Sequence, residues 1–293
     1  MERFDLLVIG GGAAGLSAAS SAAKPGRRVL LAEGEPELGG VLNQCFHQGF
    51  GRGLTGPAYA RRLIGQAERS GACVRTGTFV LRIDPDRTAL LSSREGLRRV
   101  GFDQCILAAG CRERTIASLP VAGSRPAGVF TAGTAQKLMN IGRYEIGHRV
   151  VILGSGDVGQ IMARQLVLAG KRVIAVVEQK PRLGGLPRNR RECLEAFQIP
   201  VILRATVDEI LGEGRIRGVV VRDLPTGRRR ELACDTLLTA LGLVPDRELC
   251  RPLAGRDGLL PGWLRLCGNC DYVHDMADSV IKEAARLGAG WKE

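Results

Sequence analysis

Two short runs in this chain have the residue types and spacing needed to hold a pyrophosphate. One is Ile9-Gly10-Gly11-Gly12-Ala13-Ala14-Gly15 and the other Leu153-Gly154-Ser155-Gly156-Asp157-Val158-Gly159. In Gly-x-Gly-x-x-Gly the first glycine (Gly10, Gly154) permits a tight turn out of a strand. The second (Gly12, Gly156) lets a phosphate approach where a Cβ would stand, and the third (Gly15, Gly159) lets the following helix pack closely on the sheet. The helix opening at Ala13-Ala14 or Asp157-Val158 offers free N–H groups and a positive dipole end to the anion. Each run is answered by an acid at the end of a second apolar run, Glu33 after Val29–Ala32 and Glu178 after Val173–Val177. A carboxylate there accepts hydrogen bonds from adenosine ribose hydroxyls and repels a 2′-phosphate. Glu178 therefore favours NAD over NADP, while Lys180 and Arg182 close behind it keep NADP open. One such motif can be a glycine turn and nothing more. Two complete strand–turn–helix–strand–acid units predict two dinucleotides on one protein, and hence electrons passing between them.

The elements that must position these turns can be read from hydrophobic runs and turn residues. Strands are expected at Phe4–Ile9, Arg28–Glu33 and Ala72–Thr76, with helices at Ala13–Ala23 and Pro57–Ser70 and a turn at Lys24-Pro25-Gly26. Residues 79–108 read as a three-stranded meander ending in Ala109-Gly110. The second half repeats the plan: strands Arg149–Leu153, Arg172–Glu178 and Pro200–Leu203, helices Val158–Ala169 and Arg190–Phe197, and a meander of Val207–Leu211, Ile216–Arg222 and Arg229–Leu241 ending in Gly242. The tail supplies one strand reaching Cys267-Gly268-Asn269 and one helix, Asp275–Leu287, which return to complete the first unit. The fold class is α/β: two Rossmann-like three-layer domains, each a parallel sheet with helices on one face and a β-meander on the other. The second domain, 116–243, is inserted in the first, formed by 1–115 and 244–293.

Bulk properties narrow the function class. The 293 residues suffice for two domains with cores of their own. Hydrophobic content of 45% and charged content of 25% are those of a globular protein, and no apolar run is long enough to span a bilayer. The N-terminus enters a strand directly, unlike a signal peptide. Nine scattered cysteines match neither a disulfide scaffold nor a four-ligand metal cluster, so a reducing cytoplasm is expected and no metal site. The net charge of +12 draws on Arg188-Asn189-Arg190-Arg191 and Arg228-Arg229-Arg230. Those clusters are either solvated turns or a docking face for an acidic partner. Aromatic residues make up only 4%, leaving little to stack on bases, so nucleic acid is not expected.

The order of these elements, with Gly39-Gly40, Ala109-Gly110, Gly242 and Gly268-Asn269, resembles the two-dinucleotide-binding-domain flavoproteins related to thioredoxin reductase. The segments Gly39–His47, Gly110–Thr115 and Phe130–Gln136 are similar to one subgroup. It comprises FAD/NAD subunits that accompany glycerol-3-phosphate-dehydrogenase-like or amino-acid/opine oxidase partners. The resemblance implies FAD on Gly10, Gly12, Ala13, Ala14, Gly15, Glu33, Gly39, Gly40, Asn43, Val80, Ala109, Gly110, Gly268, Asn269 and His274. It implies NAD(H), with NADP(H) second, on Gly154, Gly156, Asp157, Val158, Gly159, Glu178 and Gly242. Val80 would present backbone groups to the adenine. Asn269 stands where many relatives carry an aspartate. The helix start near His274–Met276 would face the flavin N1/O2 edge.

The departures from that family are equally informative. Its disulfide reductases relay electrons through a cysteine pair, but the corresponding positions here are Leu42 and His47, or Thr131-Ala132-Gly133-Thr134. The one Cys-x-x-Cys, Cys267-Gly268-Asn269-Cys270, falls on the FAD-closing motif, where a redox or metal role is the lesser reading. Cys45 and His47 are the catalytic candidates: His47 as a proton donor or as pocket lining, Cys45 chiefly as lining. Arg112 is expected to bridge domains and His148 to be inert. The stretch 249–262 is brief and glycine-rich, and no iron–sulfur cysteine set is added. The expectation is therefore hydride transfer between NAD(H) and FAD by one subunit of a heteromeric dehydrogenase acting on glycerol 3-phosphate or a small hydroxy or amino acid. A stand-alone NAD(P)H:acceptor or thioredoxin-reductase-like enzyme and a non-enzymatic redox-sensing flavoprotein are the alternatives.

Overall fold

The computed structural model describes residues 1–24 and 26–290. Part of the turn expected at 24–26 and the last three residues of the expected C-terminal return lie outside them. The chain forms two compact units, one running to Arg112 and resuming at Val244, the other Glu113–Leu243. The first crossing thus falls at Arg112 rather than at Thr115.

In the first unit Cys73–Arg75, Val29–Ala32, Glu2–Ile9, Gly96–Leu107 and Leu264–Leu266 lie side by side, in that order, all parallel. Where both faces are covered the strands are apolar, as at Leu6–Ile9 and Val29–Ala32. Alternate side chains point to opposite faces. Leu6, Val8, Val29 and Leu31 pack on the helical side, against Leu16, Ala19, Leu63 and Ala284. Leu7, Ile9, Leu30 and Ala32 pack on the other, against Ile83, Ala89, Leu91 and Val100. That second layer is an antiparallel meander of Phe79–Asp84, Thr88–Ser93 and the first half of Gly96–Leu107. The helices are Ala13–Ala22, Gly56–Ser70 and Ala277–Ala289. The second has proline at its start and ends at Gly71 with φ of 83°, both ordinary helix-boundary chemistry. The first and third approach closely: a Cβ on Gly288 would stand 2.2 Å from the Ala18 carbonyl oxygen.

The second unit repeats this order with Val201–Leu203, Arg172–Glu178, Arg149–Leu153, Thr236–Thr239 and Val129–Thr131, again all parallel. Val151, Leu153 and Val177 meet Val207, Ile210, Val219 and Val221 of its meander. Val150, Ile152 and Val176 meet Ala132, Met162, Ala163 and Leu166 of its helices. The two copies differ by a permutation. In the first, the outermost strand, Leu264–Leu266, and its helix come last in the chain. In the second, the equivalent strand Val129–Thr131 and helix Ala132–Asn140 come before the glycine turn.

That strand and helix were not expected, because the repeat is marked in the sequence only from each glycine run onward. Three further expectations are corrected. Arg229–Leu241 is two strands, Arg229–Ala233 and Thr236–Thr239, because the Asp235 carboxylate between them takes the His148 and Arg149 backbone N–H groups at 2.9–3.2 Å. The helix expected at Arg190–Phe197 begins at Pro187, passes through a π-type turn at Arg190–Leu194, and ends at Gln198 with φ of 50°. The last helix starts at Ala277 rather than Asp275, since Met276 is extended. Among the described residues no helix is long and apolar enough to cross a membrane.

Candidate functional site

The two glycine turns have nearly the same geometry. Gly10 and Gly154 sit at φ of 102° and 103°, where an L side chain is strained. A Cβ there would also stand 2.5 Å from the Ala108 oxygen or 2.3 Å from the Ala240 oxygen. A Cβ on Gly15 would lie 1.7 Å from the Gly10 oxygen, and one on Gly159 2.5 Å from the Gly154 oxygen, so these glycines set how closely helix meets strand. At Gly12 and Gly156 a Cβ would meet nothing within 4 Å, so those positions are glycine without any packing need and leave open space beside the helix start. Each is the N-cap of its helix, Ala13–Ala22 or Asp157–Leu168, and neither cap is made by a side chain. The first-turn N–H groups of Ala13, Ala14, Asp157 and Val158 thus face outward as anion donors.

Both acids stand at the strand ends where they were expected. Glu33 takes the Gly11 N–H at 2.6 Å on one carboxylate oxygen and the Glu35 N–H at 2.7 Å on the other. Glu178 takes the Ser155 N–H at 3.0 Å and the Ser155 hydroxyl at 2.6 Å on one oxygen, and the Lys180 N–H at 2.9 Å on the other. Each carboxylate therefore stitches its glycine turn to the next strand, and retains lone pairs for a ribose. Glu178 is buried, whereas Lys180 and Arg182 are exposed.

A second correspondence went unread in the sequence. Glu33-Gly34-Glu35-Pro36-Glu37-Leu38-Gly39-Gly40 is matched by Glu178-Gln179-Lys180-Pro181-Arg182-Leu183-Gly184-Gly185. The shared acid, proline, leucine and glycine pair were the available signal. In each unit this strap crosses the helix N-terminus. The Gly39 N–H donates to the Gly11 oxygen at 2.8 Å, and the Gly184 N–H to the Ser155 Oγ at 2.9 Å. Asn43 holds the first strap through the Leu38 oxygen at 2.8 Å. The second is held by Gln160, whose buried amide donates to the Ser155 and Gly184 oxygens at 2.7 Å each. Asp157 adds acceptors for the Leu186 N–H and the Asn189 amide, both at 2.7 Å.

The closing motif of the first unit is tied to its last helix. Gly268, at φ of 67°, lies against Ala14 of the first cradle helix. The Asn269 oxygen accepts the His274 N–H at 3.1 Å. The His274 ring has Nε2 on Glu283 at 2.7 Å and Nδ1 within 3.0 Å of the Tyr272 oxygen, under the Tyr272 ring. Both ring nitrogens thus lie within hydrogen-bond distance of protein groups, and the His274 backbone N–H ties this turn to Asn269. Glu283, nine residues further on, carried no sequence signal. Val80 pairs with Leu91 in the meander. Gly110 accepts the Asp246 N–H at 3.0 Å, and Gly242 the Arg114 N–H at 2.9 Å. Ala109 is exposed beside Gly110. Arg112 pairs with Asp246 and Glu248 of the returning chain.

Burial pushes Cys45 up to about 12, and its Sγ donates to the Val41 oxygen at 3.3 Å, which favours the protonated thiol. His47 is half-buried, its ring 5.1 Å from that of Phe50. Cys267 and Cys270 are buried free thiols, and burial raises both, Cys267 to about 12. Where disulfide reductases would carry their pair, Thr131 and Gly133-Thr134 instead donate to the Glu113 carboxylate, which caps helix Ala132–Asn140. Of the arginine clusters, Arg188 pairs with Glu192, Arg190 with Glu195, and Arg229 with Asp208 and Glu209.

Comparison with known proteins agrees with this arrangement. A family model described as pyridine nucleotide-disulphide oxidoreductase matches residues 4–259. The chain is 33% identical to hydrogen cyanide synthase subunit HcnB of Pseudomonas protegens, over 96% of this chain and 67% of that protein. It is 28% identical to an opine oxidase subunit of Rhizobium meliloti, over 61% of this chain and 39% of that protein. Among solved structures, T. acidophilum thioredoxin reductase matches with a TM-score of 0.80 at 20% identity, covering 98% of this chain and 97% of that one. At that identity the likeness is one of fold: two Rossmann-like α/β units.

Proposed function

The chain belongs to the pyridine nucleotide-disulphide oxidoreductase family, and from that premise we propose that it passes hydride between NAD(H) on the second unit and FAD on the first. Membership makes it an oxidoreductase that uses FAD and a pyridine nucleotide. The finer assignment rests on one observation: in both units a glycine with open space on its Cβ side caps a helix that no side chain caps, next to an acid ending the second strand.

On this reading the N–H groups of Ala13 and Ala14 bind the FAD pyrophosphate, and Glu33 accepts the adenosine ribose hydroxyls. The N–H groups of Asp157 and Val158 and the Glu178 carboxylate do the same for the nicotinamide nucleotide. Bound together, the two cofactors supply the hydride chemistry between nicotinamide C4 and flavin N5. Glu178 selects NAD, because a 2′-phosphate would face a buried carboxylate. His47 is the residue to which we assign a proton role near the flavin, with Cys45 a protonated thiol and His274 committed to Glu283.

We further propose that the flavin exchanges electrons with a second protein subunit: oxidation of glycerol 3-phosphate or a small hydroxy or amino acid there would deliver two electrons to the flavin, which would pass them as hydride to NAD+. HcnB and the opine oxidase relative are both named as subunits. A self-contained thiol relay fits less well, since the Cys267/Cys270 thiols are buried with raised pKa values and Glu113 occupies the helix end at Thr131–Thr134. The test is anaerobic stopped-flow reduction of the FAD-reconstituted protein. NADH should bleach the flavin band faster than NADPH, without thiols appearing in step. A protein left colourless by FAD refutes the reading, and recovery of the native protein without a second flavoprotein refutes the subunit role.

A further inference from the structure

Two cradles built alike must behave differently if one keeps its nucleotide through turnover and the other exchanges it. We propose that the first residue of the cradle helix, Ala13 in one unit and Asp157 in the other, sets this difference, Asp157 keeping the nicotinamide nucleotide exchangeable. The proposal rests on the assignment of FAD to the first unit and NAD(H) to the second.

The two helix starts share several features that bear on phosphate binding. Both follow a glycine at φ near 100°, both have an open second glycine and no side-chain cap, and both carry a strap with a glycine pair. They part at the first helical position. Helix Ala13–Ala22 has no acid in its first turn, so its N–H groups and dipole are uncompensated. Helix Asp157–Leu168 carries Asp157 there. A carboxylate at a helix N-terminus already satisfies the positive end of the dipole and repels a second anion beside it.

The Asp157 side chain is also fixed in place. One of its oxygens accepts from the Leu186 N–H and the Asn189 amide, and Gly185 packs so near that a Cβ would stand 2.6 Å from that oxygen. Both partners are neutral donors, and among the described residues no ion pair to Asp157 is seen: Arg188 pairs with Glu192, Arg190 with Glu195, and Arg164 stands over the Phe197 ring. A pyrophosphate entering the second cradle therefore meets an unpaired negative charge that the first cradle lacks. The strap is held by Gln160 and Ser155 as well, so the charge can be removed without releasing the strap.

The test is calorimetric binding of NAD+ to the FAD-loaded protein, together with FAD retention through gel filtration. Asp157→Asn keeps an acceptor oxygen for the strap and removes only the charge. It should tighten NAD+ about tenfold, roughly 1.4 kcal/mol, with the gain shrinking as salt rises. Ala13→Asp should weaken FAD retention by a similar factor. Asp157→Ala removes the strap acceptor as well as the charge, so a gain in NAD+ affinity matching that of Asp157→Asn assigns the effect to the charge, and a gain confined to Asp157→Ala overturns the proposal. If Asp157→Asn binds NAD+ as the wild type does, the proposal is overturned while the two-cofactor reading stands. If the wild type retains FAD but binds NAD+ at no concentration, that reading itself fails and the proposal with it.

Discussion

Two glycines three residues apart should respond to alanine in opposite ways. Gly15→Ala places a Cβ 1.7 Å from the Gly10 carbonyl oxygen, where ordinary contact begins near 3.4 Å. Helix Ala13–Ala22 would have to retreat by about 1.7 Å from a strand to which its buried face is packed. Overpacking of that severity costs about 3 kcal/mol or more, which lowers Tm by about 6–12 °C in a protein of this size. The loss should appear in the FAD-free protein. Gly12→Ala places its Cβ in open space, at a φ of −77° that alanine adopts freely. Its effect on FAD-free stability should stay within about 1 kcal/mol. The same methyl stands where the pyrophosphate is proposed to lie, so FAD affinity should fall at least a hundredfold, about 2.8 kcal/mol. Scanning calorimetry of the FAD-free variants and fluorescence titration with FAD separate the two effects. Wild-type FAD affinity in Gly12→Ala would place the phosphates elsewhere and remove the basis for both cradles.

Glu178→Gln should narrow the preference for NADH over NADPH by about tenfold, roughly 1.4 kcal/mol, measured as the ratio of flavin-reduction rates. An unchanged ratio would leave Lys180 and Arg182 as the groups that decide it. Burial holds Cys45, Cys234 and Cys267 near 12, above the ordinary thiol value. A raised folded-state pKa gives stability that is whole below the unfolded value, about 8.5, and is lost as pH climbs toward 12. Tm should therefore decline steadily above about pH 9, and a flat profile to pH 11 would contradict the burial of these thiols. The double variant Cys267→Ser, Cys270→Ser should keep NADH-driven flavin reduction within about twofold, or 0.4 kcal/mol. A large loss would restore the thiol relay. His47→Gln should remove one limb from the pH–rate profile of flavin reduction if His47 moves a proton, and leave the profile unchanged if it only lines the pocket.

The glycine turns and their acids were legible because each requirement is local. Gly10, Gly15 and Glu33 act within one strand–turn–helix–strand unit, and so do Gly154, Gly159 and Glu178. The parallel strands were legible because burial on both faces leaves unbroken apolar runs such as Leu6–Ile9 and Val150–Leu153. The rest depended on distant partners. Val129–Thr131 is three residues long and becomes a strand only through Thr236–Thr239, a hundred positions away in sequence. Asp235 breaks a strand because of two N–H groups at 148 and 149. His274 is aimed by Glu283, and the Cys45 thiol is raised through burial by neighbours no motif records. The second glycine pair, Gly184-Gly185, was visible in the sequence but lay outside the glycine-turn motif itself.

The permuted strand has a consequence for synthesis. Unit Glu113–Leu243 carries all five of its parallel strands in one continuous stretch. The N-terminal unit must wait for Leu264–Leu266, which docks on Cys105–Leu107. At ribosomal speeds of about 5–20 residues per second, that border of the sheet stays bare for roughly 8–30 seconds while the middle of the chain emerges. The segment translated second is thus the first that can finish folding, and the unpaired border around Ile106 is where a nascent chain is most open to chaperones or to sticking to its neighbours.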